Sequence, residues 1–416
     1  MYLLLKVFNM TRNIIFIDII KRNFLKIFQL LSSKKMRLFY RYSKRNEFIK
    51  AIEVGRTLIH KEKNNPEFLK EYGLCFIYSG QIEEGKSLII NALKAIKNCD
   101  YQKTLNYSKR TLQPSQIKQT TYTYLGGHAN YGFIKNDLTS KDETQKSLIS
   151  KITWYHSNQV NHENYYYLEI CKNHPELFLF SPPIHDYQKI PNSNIELLTT
   201  EYIEHEKTTN AKLDEVIKIN RIIESITYRE AIEMLKGIEV KKGRYVPRFL
   251  HQKTINQEAI REMKIRVNKI EGGEILECLL NRLDEVIIGK KLYKKIRPEI
   301  HYSFCHNDFH SSNILVQKKS EKHFIIDWDN YGIAMRGWDM SFYFGNFKYT
   351  FHEIKEVYIS RITFERSIDE KIAKIYFVFL QIYRWALRLN GNNCNNKLVT
   401  HFTPAIEFIE EIGSDL

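Results

Sequence analysis

The sequence predicts an α+β protein in which a small β-rich lobe is followed by a larger helical lobe. Short β-like runs, such as Tyr131-Gly132-Phe133-Ile134, occupy residues 121–205, and apolar residues at helical spacing dominate residues 206–416. One β-like interruption, at residues 301–332, carries a dense set of polar side chains. Strands and helices segregated in this way are typical of the α+β class.

The composition excludes several classes of protein. The chain has 416 residues, of which 43% are apolar, so it can form a sizeable core and is not a disordered chain. Six cysteines without any CxxC pair argue against a zinc ribbon or a disulfide framework and favour a reducing, cytoplasmic compartment. No apolar run is long enough to predict a transmembrane helix, and we expect no secretory signal.

Much of the net charge of +15 is concentrated at residues 1–45, which we interpret as a basic amphipathic leader. Residues 1–50 contain twelve Lys and Arg and two acidic residues. Two interpretations stay open: peripheral contact with an anionic membrane surface, or a solubilising leader without a ligand. Because the basic excess is confined to this leader, we do not expect the protein to bind nucleic acid.

Residues 46–100 form a predicted helical segment that resembles tetratricopeptide repeats. The resemblance rests on Pro66, Tyr72-Gly73-Leu74, Tyr78, Gly80 and Ala92, whereas Gly85 stands where the repeat usually has Ala. About one and a half repeats are visible, and fewer than three rarely stand alone. The segment is therefore either a TPR-like site for a protein partner or a helical hairpin packed on the next domain. The polar residues 101–120 are predicted to be a linker.

Three polar residues between 304 and 327 suggest phosphoryl-transfer chemistry. Asp308 and Asn313 are five residues apart between apolar brackets, and Asp327 follows the apolar run Phe324-Ile325-Ile326. Two short strands would bring these side chains together, and their oxygen atoms are suitable ligands for Mg²⁺. A carboxylate not needed by the metal can accept the proton of a hydroxyl nucleophile, as phosphoryl transfer requires.

The string Cys305-His306-Asn307-Asp308, with Asn313-Ile314-Leu315 and Ile326-Asp327-Trp328-Asp329, resembles the aminoglycoside phosphotransferase and choline/ethanolamine kinase superfamily. Arg336-Gly337-Trp338-Asp339 favours its choline/ethanolamine kinase side. The resemblance covers about residues 120–400 and implies a bilobal protein-kinase-like fold, with an N-lobe at 121–205, a C-lobe at 206–416 and a catalytic loop at 304–316. It implies that Asp308 is the catalytic base, that Asn313 and Asp327 hold Mg²⁺, that His306 supports the loop, and that Asp339 braces it.

The same resemblance implies a nucleotide-binding part in the N-lobe. Gly126, Gly127 and Gly132 would form the turn over the phosphates of ATP. Lys151 would bind those phosphates and pair with Glu163; Lys146 and Glu169 are the rival residues. The backbone at Glu201-Tyr202-Ile203 would contact adenine as a hinge.

The sequence therefore predicts an ATP- and Mg²⁺-dependent small-molecule kinase. Its acceptor is a hydroxyl of an amino alcohol such as choline, or of a sugar or surface-glycan precursor; a polycationic aminoglycoside is less favoured because the catalytic half has no acidic run. An aromatic set could hold a quaternary ammonium group by cation–π attraction or could simply be core. This set is Trp338, Tyr343, Phe344, Tyr383 and Trp385.

Three other functions agree less well with the sequence. A catalytically idle scaffold is the main alternative, but idle kinase folds typically lose the base or a metal ligand, and Asp308, Asn313 and Asp327 are all present. A protein kinase is disfavoured because no D-F-G or A-P-E string follows the loop. A zinc site at His306 and His310 is disfavoured because this segment lacks an HExxH helix.

Overall fold

The computed structural model describes residues 34–96, 99, 101–113, 116–123, 130–139, 145–154, 161–205, 211–236, 238, 249–270, 273–389 and 394–416. The chain divides into two compact units. The first contains residues 1–157 and 185–201, and the second contains residues 158–184 and 202–416.

Among the described residues of the first unit, six helices precede the sheet. They are α1 (Lys34–Lys44), α2 (Phe48–Arg56), α3 (Ile59–Glu62), α4 (Pro66–Tyr78), α5 (Ile82–Ala95) and α6 (Tyr101–Ser108). Helix α4 begins where the Asn65-Pro66 pair predicts a start, because the Asn65 side chain accepts a hydrogen bond from the Phe68 N–H. Of the predicted basic leader, residues 1–33 lie outside the described residues.

Two glycines allow α4 and α5 to pack in close contact. A Cβ atom at Gly85 would lie 2.5 Å from the Gly73 carbonyl oxygen, and one at Gly73 would lie 2.7 Å from the Gly85 carbonyl oxygen. A backbone oxygen cannot move aside as a flexible side chain can. The departure from the TPR-like pattern at Gly85 therefore has a packing reason.

The sheet of the first unit has five strands in the order β1-β2-β3-β5-β4. They are β1 (Ile117–Thr123), β2 (Asn130–Thr139), β3 (Gln145–Trp154), β4 (Ile184–Lys189) and β5 (Ile195–Glu201). Strands β1, β2, β3 and β5 pair antiparallel with their neighbours, and the register places Lys151 between Phe133 and Leu198. The β-rich part of the predicted α+β layout is thus present.

The helices and the sheet of the first unit share one hydrophobic core. Phe68, Tyr72 and Ile89 from the helices belong to the same buried cluster as Ile134 and Ile152 from the sheet. The sequence predicts separate domains for the helices, at 46–100, and for the sheet, at 121–205. Of the two alternatives for residues 46–100, the common core agrees with the helical hairpin that packs on the next domain.

Residues 101–120 are not a linker, in contrast to the prediction. They contain α6 and the first residues of β1, and Thr104 and Ser108 of α6 are buried. Their polar composition concealed the helix, because its buried positions carry small hydroxyl side chains rather than large apolar ones. The boundary at 205 also differs from the contacts, since residues 158–184 group with the second unit.

The second unit is mostly helical. Its α-helices are α7 (His162–Tyr165), α8 (Cys171–Asn173), α9 (Leu213–Ser225), α10 (Tyr228–Met234), α11 (Lys253–Val267), α12 (Gly273–Asp284), α13 (Pro298–His301), α14 (Trp338–Phe344), α15 (Phe351–Val357), α16 (Ser367–Arg388), α17 (Cys394–Lys397) and α18 (Thr403–Gly413). Turns of π-helix lie at Tyr166–Ile170, Glu285–Gly289 and Leu398–Phe402, and 3₁₀ turns lie at Pro175–Phe180, Leu292–Lys295, Ser311–Asn313 and Ile359–Arg361.

Two short β-ribbons interrupt these helices at the predicted β-like segment. Strand β6 (Tyr302–Cys305) pairs with β9 (Gly332–Met335), and β7 (Ile314–Val316) pairs with β8 (His323–Ile325), both antiparallel. The order of a β-rich part and then a helical part, with this interruption, confirms the predicted fold class. Within the described ranges, no helix combines the length and the apolar character that crossing a membrane requires.

Substitution of Gly85 by Ala should destabilise the first unit. The added Cβ atom would overlap the Gly73 carbonyl oxygen, so the two helices must separate, at a cost of about 1–3 kcal/mol in the free energy of unfolding. Urea denaturation of the full chain measures this. Ser87→Ala, at an exposed position of the same helix, is the control and should change the free energy by less than about 0.5 kcal/mol. Equal stability of the two variants would contradict the close helix contact.

Candidate active site

The segment from β6 to β7 brings Asp308 and Asn313 together. Strand β6 is fully buried and anchors the start of the segment, and a 3₁₀ turn at Ser311–Asn313 returns the chain towards β7. The Asn313 Nδ2 atom donates to the Asp308 carbonyl oxygen at 2.9 Å and lies 3.4 Å from Asp308 Oδ2. Asn313 is buried, whereas the Asp308 side chain is 30% exposed. Asp308 is therefore held in place yet accessible.

His306 supports this loop as a neutral ring. Its Nδ1 atom accepts from the Asp308 N–H at 3.2 Å, so its Nε2 atom carries the proton and donates to the Ile326 carbonyl oxygen at 3.0 Å. Burial lowers the pKa of His306 to about 4, which keeps the ring uncharged at neutral pH. The ring thus links the Asp308 backbone to the residue just before Asp327.

Asp339 is bonded to the loop backbone. Its two carboxylate oxygens accept the N–H groups of His306 at 2.7 Å and of Asn307 at 2.9 Å. The side chain is fully buried; burial raises the pKa of Asp339 to about 7, and these two backbone donors act in the opposite direction. The predicted brace from the next helix therefore has a specific form, since one carboxylate binds two successive loop amides.

Asp327 is placed beside Asn313 by the second ribbon. Ile314 pairs with Ile325, and the Ile326 N–H donates to the Asn313 carbonyl oxygen at 3.0 Å. Asp327 itself has a left-handed backbone with φ of 64°. The structure thus brings the backbones of the two predicted metal ligands together at the end of β7 and β8.

An aromatic stack fixes the residue after Asp327. The Trp328 ring lies parallel to the Tyr166 ring with centroids 3.9 Å apart, and its Nε1 atom donates to the Ile325 carbonyl oxygen at 3.2 Å. Tyr166 belongs to a run of three tyrosines at residues 165–167. Their role in holding Trp328 was not visible in the sequence, because the two segments are more than 150 residues apart.

Glu224 is a second supporting residue that the sequence analysis missed. It is buried on α9, and its Oε1 atom accepts the Gly337 N–H at 2.6 Å, just before the Asp339 helix α14. Burial raises the pKa of Glu224, and the positive charge of Arg336 opposes the rise. Gly337 has φ of 83°, a conformation that glycine adopts freely. In the sequence, the only indication of this role is a glutamate at a buried position of α9.

Some of the residues predicted to bind the nucleotide lie within the described residues, and others do not. Gly126 and Gly127 lie outside the described residues. Gly132 has φ of 104°, and its N–H donates to Asn130 Oδ1 at 3.0 Å. Lys151 is half-buried on β3. The rival Lys146 forms an ion pair with Glu201 at 3.1 Å.

The predicted partner of Lys151 lies in the second unit. Glu163 is buried in α7, whereas the rival Glu169 is exposed. Burial raises the pKa of Tyr167, and the nearby Glu163 carboxylate adds to the rise. Lys151 belongs to the first unit and Glu163 to the second. The ion pair between them stays a prediction. Ile203 is buried, and its carbonyl oxygen lies 2.9 Å from His205 Nδ1.

The aromatic residues considered for a quaternary ammonium site all lie in the core. Trp338, Tyr343, Phe344, Tyr383 and Trp385 are each less than 9% exposed. One of them already binds a cation, since the Arg384 guanidinium lies 4.2 Å from the Trp338 ring centre. Core packing therefore explains this set.

The comparison of the sequence with protein families agrees with this geometry. Residues 256–378 match the family model for choline/ethanolamine kinase. The matched segment contains Asp308, Asn313, Asp327 and Asp339, and it confirms the resemblance predicted from these motifs. The search of curated proteins gave no match.

Several solved structures are similar to the chain. A choline kinase from Streptococcus pneumoniae shares 17% identity and covers 74% of this chain and 99% of its own, with a TM-score of 0.37. An ethanolamine kinase from Plasmodium vivax shares 12% identity and covers 79% and 93%, with a TM-score of 0.41. An aminoglycoside-3'-phosphotransferase of type VIII shares 11% identity and covers 67% and 98%, with a TM-score of 0.32.

Substitution of Asp339 by Asn should weaken the loop without altering its length. The carboxamide has a single acceptor oxygen, so one buried N–H of His306 or Asn307 loses its partner, at a cost of about 1–3 kcal/mol. Urea denaturation measures this loss. The control Asp415→Asn removes an exposed carboxylate that pairs with Lys371 and should change stability by less than about 0.5 kcal/mol. An Asp339→Asn protein as stable as this control would refute the bracing role.

Proposed function

We propose that this protein is an ATP- and Mg²⁺-dependent kinase that phosphorylates a hydroxyl group of a small molecule. The observation that carries the proposal is the placement of Asp308, Asn313 and Asp327 on one braced loop and its neighbouring ribbon, inside a segment that matches choline/ethanolamine kinases. The acceptor is an amino alcohol such as choline, or a sugar or surface-glycan precursor.

Asp308 is the proposed catalytic base. Its carboxylate is partly exposed, and its backbone is held by His306 and Asn313. A carboxylate in this position accepts the acceptor hydroxyl proton as the oxygen attacks the γ-phosphorus of ATP. His310 Nε2 lies 3.5 Å from Asp308 Oδ1, so it is close enough to orient the carboxylate.

Asn313 and Asp327 are suited to hold Mg²⁺. The amide nitrogen of Asn313 is used by Asp308, which leaves its Oδ1 atom as a metal ligand, and Asp327 adds a carboxylate. One amide oxygen and one carboxylate match a metal that takes its remaining ligands from phosphate and water. When bound, Mg²⁺ neutralises the charge of the phosphates. We assign the phosphates of ATP to Lys151 and to the glycine turn at 126–132.

A catalytically idle scaffold stays the alternative. The geometry favours catalysis over this alternative, because the base and both metal ligands are present and the loop that carries them is rigidly bonded. A scaffold has no need for a partly exposed carboxylate on a loop whose backbone is held by four hydrogen bonds. These are the bonds to Asn313 and His306 and the two to Asp339.

Asp308→Asn should abolish phosphoryl transfer while nucleotide binding is retained. The amide keeps the shape of the side chain but cannot take up the hydroxyl proton, so kcat should fall by about 10²–10⁴-fold. A coupled ATP-consumption assay with a panel of choline, ethanolamine, sugars and aminoglycosides measures this, with calorimetric Mg·ATP titration in parallel. Asp284→Asn, at a carboxylate paired with Lys264, is the control. Wild-type turnover in Asp308→Asn would refute the base assignment.

Asp327→Asn should weaken nucleotide binding only when Mg²⁺ is present. Removal of a metal-ligating carboxylate raises the Kd of Mg·ATP, roughly ten- to hundredfold, and leaves the Kd of metal-free ATP unchanged. Titrations with Mg²⁺ and with EDTA separate the two effects. Asp329→Asn removes the same charge two residues away and should bind Mg·ATP like the wild type. An equal loss in both variants would point to general electrostatics instead of a metal ligand.

A further inference from the structure

One face of helix α16 carries three polar side chains, Gln381, Arg384 and Arg388, at helical spacing. Arg384 is only 5% exposed. Its guanidinium carbon lies 3.3 Å from the ring centre of Phe342 and 4.2 Å from that of Trp338, both on α14. The two aromatic rings therefore hold the guanidinium group by stacking and cation–π attraction.

Stacking engages only the faces of the guanidinium group, because its N–H donors lie in the guanidinium plane. Among the described residues, neither Nε nor Nη2 of Arg384 has a hydrogen-bond partner. The amide of Gln381, one turn earlier, has no partner at Nε2 or Oε1 either. A buried guanidinium with two open donors is costly for folding alone, so it indicates a site for an acceptor of hydrogen bonds.

The guanidinium groups of Arg384 and Arg388 lie within electrostatic range of the proposed base. Burial lowers the pKa of Arg384 to about 9, and the charge of Asp308 is among those that oppose this shift. Desolvation also lowers the pKa of Arg388, and the charge of Asp308 again opposes it. Arg388 is exposed, and its Nη1 atom reaches the position beside Gly345 at the end of α14. Arg384 also stacks on α14, whose Asp339 binds the loop amides next to Asp308, so its positive charge lies close to the segment that carries the proposed base.

We propose that the acceptor carries an anionic oxygen group, a phosphate or a carboxylate, and that Arg384 binds it through N–H donors on Nε and Nη2. This inference rests on the proposed kinase function and narrows its substrate class. The planar guanidinium fork matches the paired oxygens of either anion, and Arg388 adds positive charge at the exposed end of the site. A quaternary ammonium acceptor is disfavoured, because the two arginines repel it and Arg384 already covers the Trp338 ring.

The test compares neutral acceptors with related acceptors that carry an anionic group. Purified full-length protein with Mg·ATP is offered glycerol and glycerol 3-phosphate, glucose and glucose 6-phosphate, glucose and gluconate, and choline. We expect an anionic member to be turned over with a kcat/KM at least about tenfold above its neutral partner. Turnover of the phosphorylated acceptors would indicate a site for phosphate, and turnover of gluconate would indicate a site for carboxylate. Arg384→Gln should raise the KM of the anionic acceptor roughly ten- to hundredfold, because the charge-assisted bonds are lost, and should leave the Kd of Mg·AMPPNP unchanged.

A binding experiment covers the case in which the natural acceptor is outside this panel. Inorganic phosphate is titrated into the Mg·AMPPNP complex by calorimetry, and Arg384→Gln should bind it at least about tenfold more weakly than the wild type. Arg361→Gln, which removes an arginine paired with Asp214, is the matched control and should bind phosphate like the wild type. Arg384→Met separates ligand binding from folding. It should raise the Tm, because an unpaired buried charge is replaced by an apolar chain.

Each outcome decides the inference. Turnover of choline or of neutral acceptors, with no phosphate binding, leaves the kinase standing and overturns the anionic acceptor. Phosphate binding that depends on Arg384, in a protein that neither binds Mg·AMPPNP nor transfers phosphate, supports the anion site and overturns the kinase. A lower Tm together with lost Mg·AMPPNP binding in Arg384→Met assigns Arg384 to the fold and overturns the inference.

Discussion

The candidate site depends on one buried carboxylate, Asp339, which binds two successive backbone amides. These bonds fix His306 and Asn307, and through them the direction in which the chain presents Asp308. His306 then connects the loop to Ile326, beside Asp327, so the proposed base and a proposed metal ligand share one support. Glu224 extends the arrangement by binding the Gly337 amide at the start of the same helix. Buried charges of this kind are costly, and here their hydrogen bonds hold the reactive segment in one geometry.

The polar groups of the candidate site could be recognised in the sequence because they are close along the chain. Asp308, Asn313 and Asp327 fall within 20 residues, and their order, spacing and apolar brackets are enough to indicate the ribbon that joins them. Residues that support the site from distant parts of the chain show no such pattern in the sequence. Glu224 and Tyr166 each contact a segment over 100 residues away, and Arg384 contacts Phe342 of a different helix.

The N-terminal half shows the opposite difficulty. Its helices are amphipathic enough to be found by periodicity, but the partner of their apolar face cannot be found in that way. Phe68 and Ile89 join the core of the sheet, so the hairpin completes that core, and partner binding through residues 46–100 stays a prediction. Helix α6 was missed because Thr104 and Ser108, rather than large apolar residues, fill its buried positions. The ion pair of Lys146 with Glu201 was likewise invisible, since strand register decides it.

The left-handed backbone at Asp327 limits which residues can serve there. Most side chains with a branched or bulky Cβ substituent avoid this conformation, whereas Asp, Asn and Gly tolerate it. Glutamate would keep the negative charge but would lose the short side chain that suits this backbone. Residue 327 therefore has to meet two independent demands at once. One is set by the left-handed backbone, and the other by the metal that we propose its side chain to bind.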